Sequence, residues 1–293
     1  MSFIKNINFY NKPHIMGIIN VTPDSFSGDG ILHFAKEGSF VDYALEKARY
    51  FVEQGASIID VGGESTRPGA PFVPLQEELD RVLPVIEAIK KKMDVYISID
   101  TTKAEVAEKA MDLGVELIND VSGLMTHPQM IEVAKKYQPY VVITHSYQHM
   151  VTEQRDEGGR YLTKDVANIV QEIIHDLEKL ALYGISHGLK RERIIIDPGI
   201  GYGKTISQNM MLLKNVRQLS TLGYPVLMGV SRKSFIGFAT NASVANRLGG
   251  SIAANVLAVW EGANIIRVHD VAETSQAIKL IEAIRNLDHI EKN

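Results

Sequence analysis

"IIIDPGIGYGKT", Ile194–Thr205, admits two folds. A β-branched apolar run ends on Asp197, and a glycine-rich loop follows with Lys204 and Thr205 at its close. As a phosphate loop it would belong to a doubly wound open sheet with a nucleotide at the strand's carboxyl end. As a plain strand and tight turn it is one unit of a longer β-α series. The spacing favours the second. A G-x-x-x-x-G-K loop needs glycine where this chain has Pro198, and the G-x-G-x-x-G pattern needs glycine where it has Lys204. The glycines then serve a tight turn and close approach to a flat molecule, and Asp197 becomes the informative residue.

Similar short runs recur on both sides. "HIMGII" from His14, "ASIIDV" from Ala56, "VYISI" from Val95 and "VELIN" from Val115 precede it, with "YVVIT" from Tyr140. "PVLMGV" from Pro225 and "NIIRV" from Asn264 follow. With "RIIID" these make eight runs, each nearly continuously apolar, as strands covered on both faces are. Helical periodicity fills the gaps, in "VDYALEKARYFVEQGA" ending near Gly55 and "KAEVAEKAMDLG" stopping at Gly114. "ANRLGGSIAANVLAVWEGA" is apolar around much of its circumference, which leaves open a subunit interface or a helix covered by a neighbour. Its Trp260 is expected in the core. Eight β-α units predict a closed (β/α)8 TIM barrel, a single α/β domain over residues 1–293. The doubly wound sheet is the alternative, because it shares the local signature.

Composition narrows the class. Apolar residues are 45% and charged residues 23% of the 293, ample for a large core. The net charge of -4 marks no nucleic-acid binder, so an anion site must be built locally. With no cysteine, thiolate metal sites and cysteine nucleophiles are excluded. The first residues lack a signal-peptide pattern, and no apolar run approaches the ~18 residues of a membrane span. A cytoplasmic enzyme is expected.

Polar residues close the runs: Asn20, Asp60, Asp100, Asn119-Asp120, Thr144-His145, Asp197, Ser231-Arg232-Lys233, and Arg267 with His269. Any one could cap a helix. In a barrel, all of them share the mouth where active sites are built. Asp100, Asn119 and Asp197 suit a flat heterocycle rich in N–H groups. Arg67, Arg267 and His269 suit phosphate, and Lys233 could reach either. Three loops are unusual: "NVTPDSFSGDGILHFAKEG", "GGESTRPGAPFVP" and "SRKSFIG". His145 and His149 are spaced i, i+4, but on a strand end and loop rather than a helix, a poor zinc site even with Asp197.

The segments "MGIINVTPDSFS", "DVGGESTRPGA", "SIDTTKAEVAEKA", "LINDVSG", "DPGIGYGK", "GVSRKSFIG" and "ANIIRVHDV" resemble, in order, the motifs of the dihydropteroate synthase family, from about Met16 to Val271. The resemblance implies a transferase of folate synthesis. It would condense 6-hydroxymethyl-7,8-dihydropterin diphosphate with 4-aminobenzoate to give 7,8-dihydropteroate and diphosphate. It further implies a pterin pocket of Asp100, Asn119, Asp197 and Lys233, and a diphosphate site of Thr66, Arg67, Arg267 and His269. Asn20 matches the family position for Mg2+. The aminobenzoate pocket would use Arg67, Pro68, Tyr202, Lys233 and Ser234, with Asp100, Lys233, Arg267 and His269 carrying the chemistry. A homodimer and small-molecule substrates are implied, with no nucleic acid or membrane partner. Tyr202 stands where many members have phenylalanine, and "THSYQH" replaces a commoner Met-His-Met run. A non-catalytic pterin binder would lose a cation or Asn20, and a corrinoid-dependent methyltransferase would not need the diphosphate cations. This chain keeps them all.

Overall fold

The computed structural model describes residues 6–22, 39–65, 70–147 and 166–286. Eight strands, β1 (His14–Asn20), β2 (Ile58–Gly62), β3 (Tyr96–Asp100), β4 (Leu117–Asp120), β5 (Tyr140–Thr144), β6 (Ile194–Asp197), β7 (Leu227–Met228) and β8 (Ile265–Val268), form one parallel sheet. β1 pairs with β2 on one side and β8 on the other, which no doubly wound order allows. β6 meets the start of β7 through the Ile196–Val226 bridge and a 2.9 Å bond from the Ile196 N–H to the Pro225 carbonyl. The sheet is therefore a closed (β/α)8 barrel.

Ten α-helices among the described residues surround it. In chain order they are α1 (Phe40–Glu53), α2 (Leu75–Lys92), α3 (Ala104–Asp112), α4 (Met130–Tyr137), α5 (Ile169–Ser186), α6 (Ile206–Lys214), α7 (Val216–Leu219), α8 (Ser234–Thr240), α9 (Leu248–Trp260) and α10 (Val271–Arg285). Their apolar faces pack on alternate strand residues such as Ile15, Ile59, Ile97, Ile118, Val141, Ile196 and Ile266. Gly17 allows α1 its close approach, since a Cβ there would lie 2.6 Å from the Phe51 ring.

The other strand parity points into the barrel. Met16, Ile58, Leu117, Val142, Ile195, Leu227 and Ile265 fill its lower interior, with Phe9 packed against them. Each fully buried side chain of this plug contributes roughly 1.5–3 kcal/mol, in addition to the larger apolar layer between strands and helices.

Two expectations needed correction. The "PVLMGV" run pairs as a strand only over Leu227–Met228. Pro225 has no N–H, and the Val226 N–H donates instead to the Asn264 side chain at 2.9 Å. Trp260 is not core: it is 45% exposed, stacked against Arg285. α9 buries Ser251, Ala254, Asn255, Ala258 and Val259 and presents the apolar Ala253, Leu257 and Trp260 outward.

Candidate active site

Two residues above the apolar plug, the same inward rows turn polar. Ile58 gives way to Asp60, Leu117 to Asn119, Ile195 to Asp197 and Ile265 to Arg267, while Tyr96 leads through Ser98 to Asp100. Strand alternation thus brings these side chains together at the carboxyl ends of the strands, where loops supply the remaining groups.

Arg267 is the hub. Its Nε donates to Asp60 Oδ2 at 2.6 Å and its Nη2 to Asp100 Oδ2 at 2.5 Å. Asn119 Nδ2 donates to the same Asp60 oxygen at 3.3 Å. Burial works against the charge on Arg267, but Asp60 and Asp100 hold its pKa above the usual guanidinium value. Burial pushes the Asp100 carboxyl up to about 7. Arg267 pulls it down, and Asp60, Glu78 and Asp120 push it further up. One oxygen each of Asp60 and Asp100 is buried without a hydrogen bond, acceptor capacity that an N–H-rich ligand could meet. Asp60 was passed over as a site residue in the sequence; its inward parity with Ile58 was the available signal. Asp120, next to Asn119, faces outward and instead caps the following turn, accepting from the N–H groups of Ser122 and Leu124 at 2.8 and 3.0 Å.

The glycine loop is a mount. Asp197 Oδ1 accepts from the Gly199 N–H at 2.7 Å, and burial raises its pKa against the pull of Lys233 and the Gly199 bond. Gly199 has φ +68°, and a Cβ there would lie 1.8 Å from the His145 carbonyl, so only glycine fits. Lys204 is buried beneath the loop and donates to the carbonyls of His145, Gly199 and Tyr202 at 3.1, 2.9 and 3.2 Å. Burial pushes it down to about 7, opposed by Asp197. Thr205 caps α6 reciprocally with Gln208. The Lys-Thr pair that suggested a nucleotide is thus wholly engaged in holding the loop.

Lys233 is the lysine that faces the site. Its Nζ donates to the Ile200 carbonyl and lies 4.8 Å from the Tyr202 ring centre. Burial lowers it to about 8, with Asp197 opposing and Arg267 assisting. Ser234 is exposed and opens α8. His269 Nδ1 lies 3.1 Å from Ser231 Oγ, joining the loops after β7 and β8. Asn20, half-buried, ends β1 at the same mouth. Among the described residues no group of three or more His, Asp or Glu could hold a metal ion. The lone carboxamide of Asn20 suits Mg2+ that arrives with substrate phosphates and keeps waters. His145 is buried edge-on against Tyr147 with Asp176 3.4 Å away; His149 lies outside the described residues. So do Thr66, Arg67 and Pro68.

Residues 16–269 match the family of pterin binding enzymes. A dihydropteroate synthase of Clostridium beijerinckii is 41% identical over 281 residues, covering 96% of this chain and 97% of that protein. Among solved structures, Yersinia pestis dihydropteroate synthase in complex with a sulfonamide drug aligns at a TM-score of 0.86 and 38% identity, covering 95% and 96% of the two chains. The Xanthomonas albilineans dihydropteroate synthase in complex with 7,8-dihydropteroate aligns at 0.82 and 34%, covering 96% of each.

Proposed function

The chain belongs to the dihydropteroate synthases of the pterin-binding enzyme family, which are transferases, and from that premise we propose that it condenses 6-hydroxymethyl-7,8-dihydropterin diphosphate with 4-aminobenzoate, releasing 7,8-dihydropteroate and diphosphate in folate synthesis. The observation that carries this reading is the buried Asp60–Arg267–Asp100 cluster beside Asn119. It offers acceptors and a carboxamide for a flat ring with N–H groups, next to a cation for the leaving group.

In the proposed reaction the C–O bond to diphosphate breaks first, and its electron pair leaves with the diphosphate. The electron-rich dihydropterin delocalises the resulting cation. Asp100 as carboxylate favours that charge, while Asn119 and Asp197 hold the ring by its N–H groups. Arg267 and His269, with Thr66 and Arg67, offset the charge growing on diphosphate. Asn20 would hold Mg2+, which supplies further positive charge there. Tyr202, Lys233, Pro68 and Arg67 then place the aromatic amine, and Ser234 donates to its carboxylate. The amine lone pair forms the C–N bond and its proton is lost to water. An arylamine is neutral near pH 7, so placement matters more than a base.

Mixing protein, Mg2+, pterin diphosphate and 4-aminobenzoate and following diphosphate tests the reading. Release that a sulfonamide suppresses supports it, and no release refutes it. Slow release without 4-aminobenzoate supports departure before attack. The same reading includes a cytoplasmic homodimer. The outward Ala253, Leu257 and Trp260 of α9, beside exposed Leu280 and Ile284 on α10, supply an apolar surface for it. Sedimentation at two concentrations checks the dimer.

A further inference from the structure

Arg232 is one of four described non-glycine residues with positive φ, at 58°. That conformation is strained for a side-chain-bearing residue, so something must hold it. Its Nε donates to Asp270 Oδ2 at 2.9 Å and its Nη2 to Asp270 Oδ1 at 2.5 Å, a two-pronged pair. Its backbone N–H donates to Ser251 Oγ at 2.8 Å, and its carbonyl accepts from Arg247 Nη1 at 3.0 Å. Ser251 Oγ in turn donates to the Arg247 carbonyl at 2.8 Å. Both peptide groups of Arg232 are therefore tied to the start of α9, and its side chain is tied to the loop after β8.

The neighbours on each side face the site. Ser231 and His269 form one rung between the two loops, and Arg232 and Asp270 form the next. Beyond Arg232 the chain delivers Lys233 to Ile200 and Tyr202, and the exposed Ser234 follows directly as the first residue of α8. We propose that the Arg232–Asp270 pair is a strap that positions Lys233 and Ser234 for the second substrate. Arg232 and Asp270 themselves do not touch substrate. The inference rests on the function proposed above for what Lys233 and Ser234 bind.

The strap depends on a fork, which a lysine ammonium cannot replace. In R232K and D270N we expect KM for 4-aminobenzoate to rise about tenfold with kcat within about threefold. R232G separates backbone from side chain, because glycine adopts positive φ freely; it is expected to be as impaired as D270N. The exchange variant R232D/D270R, with an aspartate that tolerates positive φ, is expected to recover most of the affinity. A second measurement needs no substrate. The Lys233 ammonium, assigned by its loss in K233M, is followed by NMR titration and should move from about 8 toward the ordinary 10.5 in D270N. Wild-type KM and titration in D270N would overturn the strap, as would wild-type behaviour of R232G. A kcat loss beyond about a hundredfold in R232K would overturn it too, by making Arg232 a substrate contact. If wild-type protein releases no diphosphate while D270N still shifts the Lys233 titration, the function falls and the strap stands.

Discussion

The base and the mouth of the barrel are built from the same inward rows, two residues apart, and do opposite work. At the base, Ile58, Leu117, Ile195 and Ile265 meet in a dry plug. At the mouth, Asp60, Asp100, Asn119, Asp197 and Arg267 form a polar cluster in which one carboxylate oxygen each of Asp60 and Asp100 lacks a hydrogen bond. Inside the barrel, apolar burial fills the base and buried charge fills the layer above it. Neighbouring positions on one strand should therefore give different kinds of damage.

The sharpest break is Arg267→Ala. It strands two buried carboxylates, so we expect a stability loss of about 3–5 kcal/mol and a turnover loss of about a thousandfold or more. Denaturant midpoints and diphosphate release measure both. Asp100→Asn should lower kcat by about a hundredfold or more while changing diphosphate inhibition by less than about threefold. Equal effects on both quantities would contradict the assignment. Leu117→Ala and Asn119→Ala, on one strand, should separate cleanly. The first is expected to lose about 2–5 kcal/mol of stability at unchanged KM. The second should weaken pterin affinity about tenfold, the usual scale for a lost hydrogen bond to a bound ligand.

The mildest perturbation is a change of pH. The folded pKa of Asp100, about 7, lies above its ordinary 3.8. The folded chain therefore holds this proton more tightly, and the contribution to stability is present at low pH and lost as pH rises toward and through about 7. Activity should run the other way, because the proposed reaction uses the carboxylate: kcat/KM is expected to climb through that range. Asp100→Asn should flatten both profiles, and a retained acidic limb would assign the proton elsewhere.

The barrel itself was legible in sequence, because eight β-branched runs alternate with amphipathic segments. Length was less legible at β7, where Pro225 removes a donor and the side chain of Asn264 takes over the pairing of Val226. At the mouth, residue type was readable but direction was not. Asp60 and Asp120 look alike as strand-end acids. One points inward to Arg267 and the other outward to a turn, and only counting parity from an apolar neighbour separates them. Lys204 and Lys233 pose the same difficulty. Spacing ruled out a nucleotide loop, but no pattern announces that Lys204 spans three carbonyls, since those contacts join β5 to the loop after β6.

The seam between β6 and β7 is narrow, with one bridge and a two-residue strand. Asp197 and Lys233 stand on its two sides, linked through the Lys233–Ile200 bond. A molecule gripped by both acts as a staple across the least-laced part of the wall. Ligand occupancy then has a mechanical reading: the Ile196 amide, which crosses the seam to the Pro225 carbonyl and is open to hydrogen exchange when the wall breathes, becomes slow once the mouth is filled.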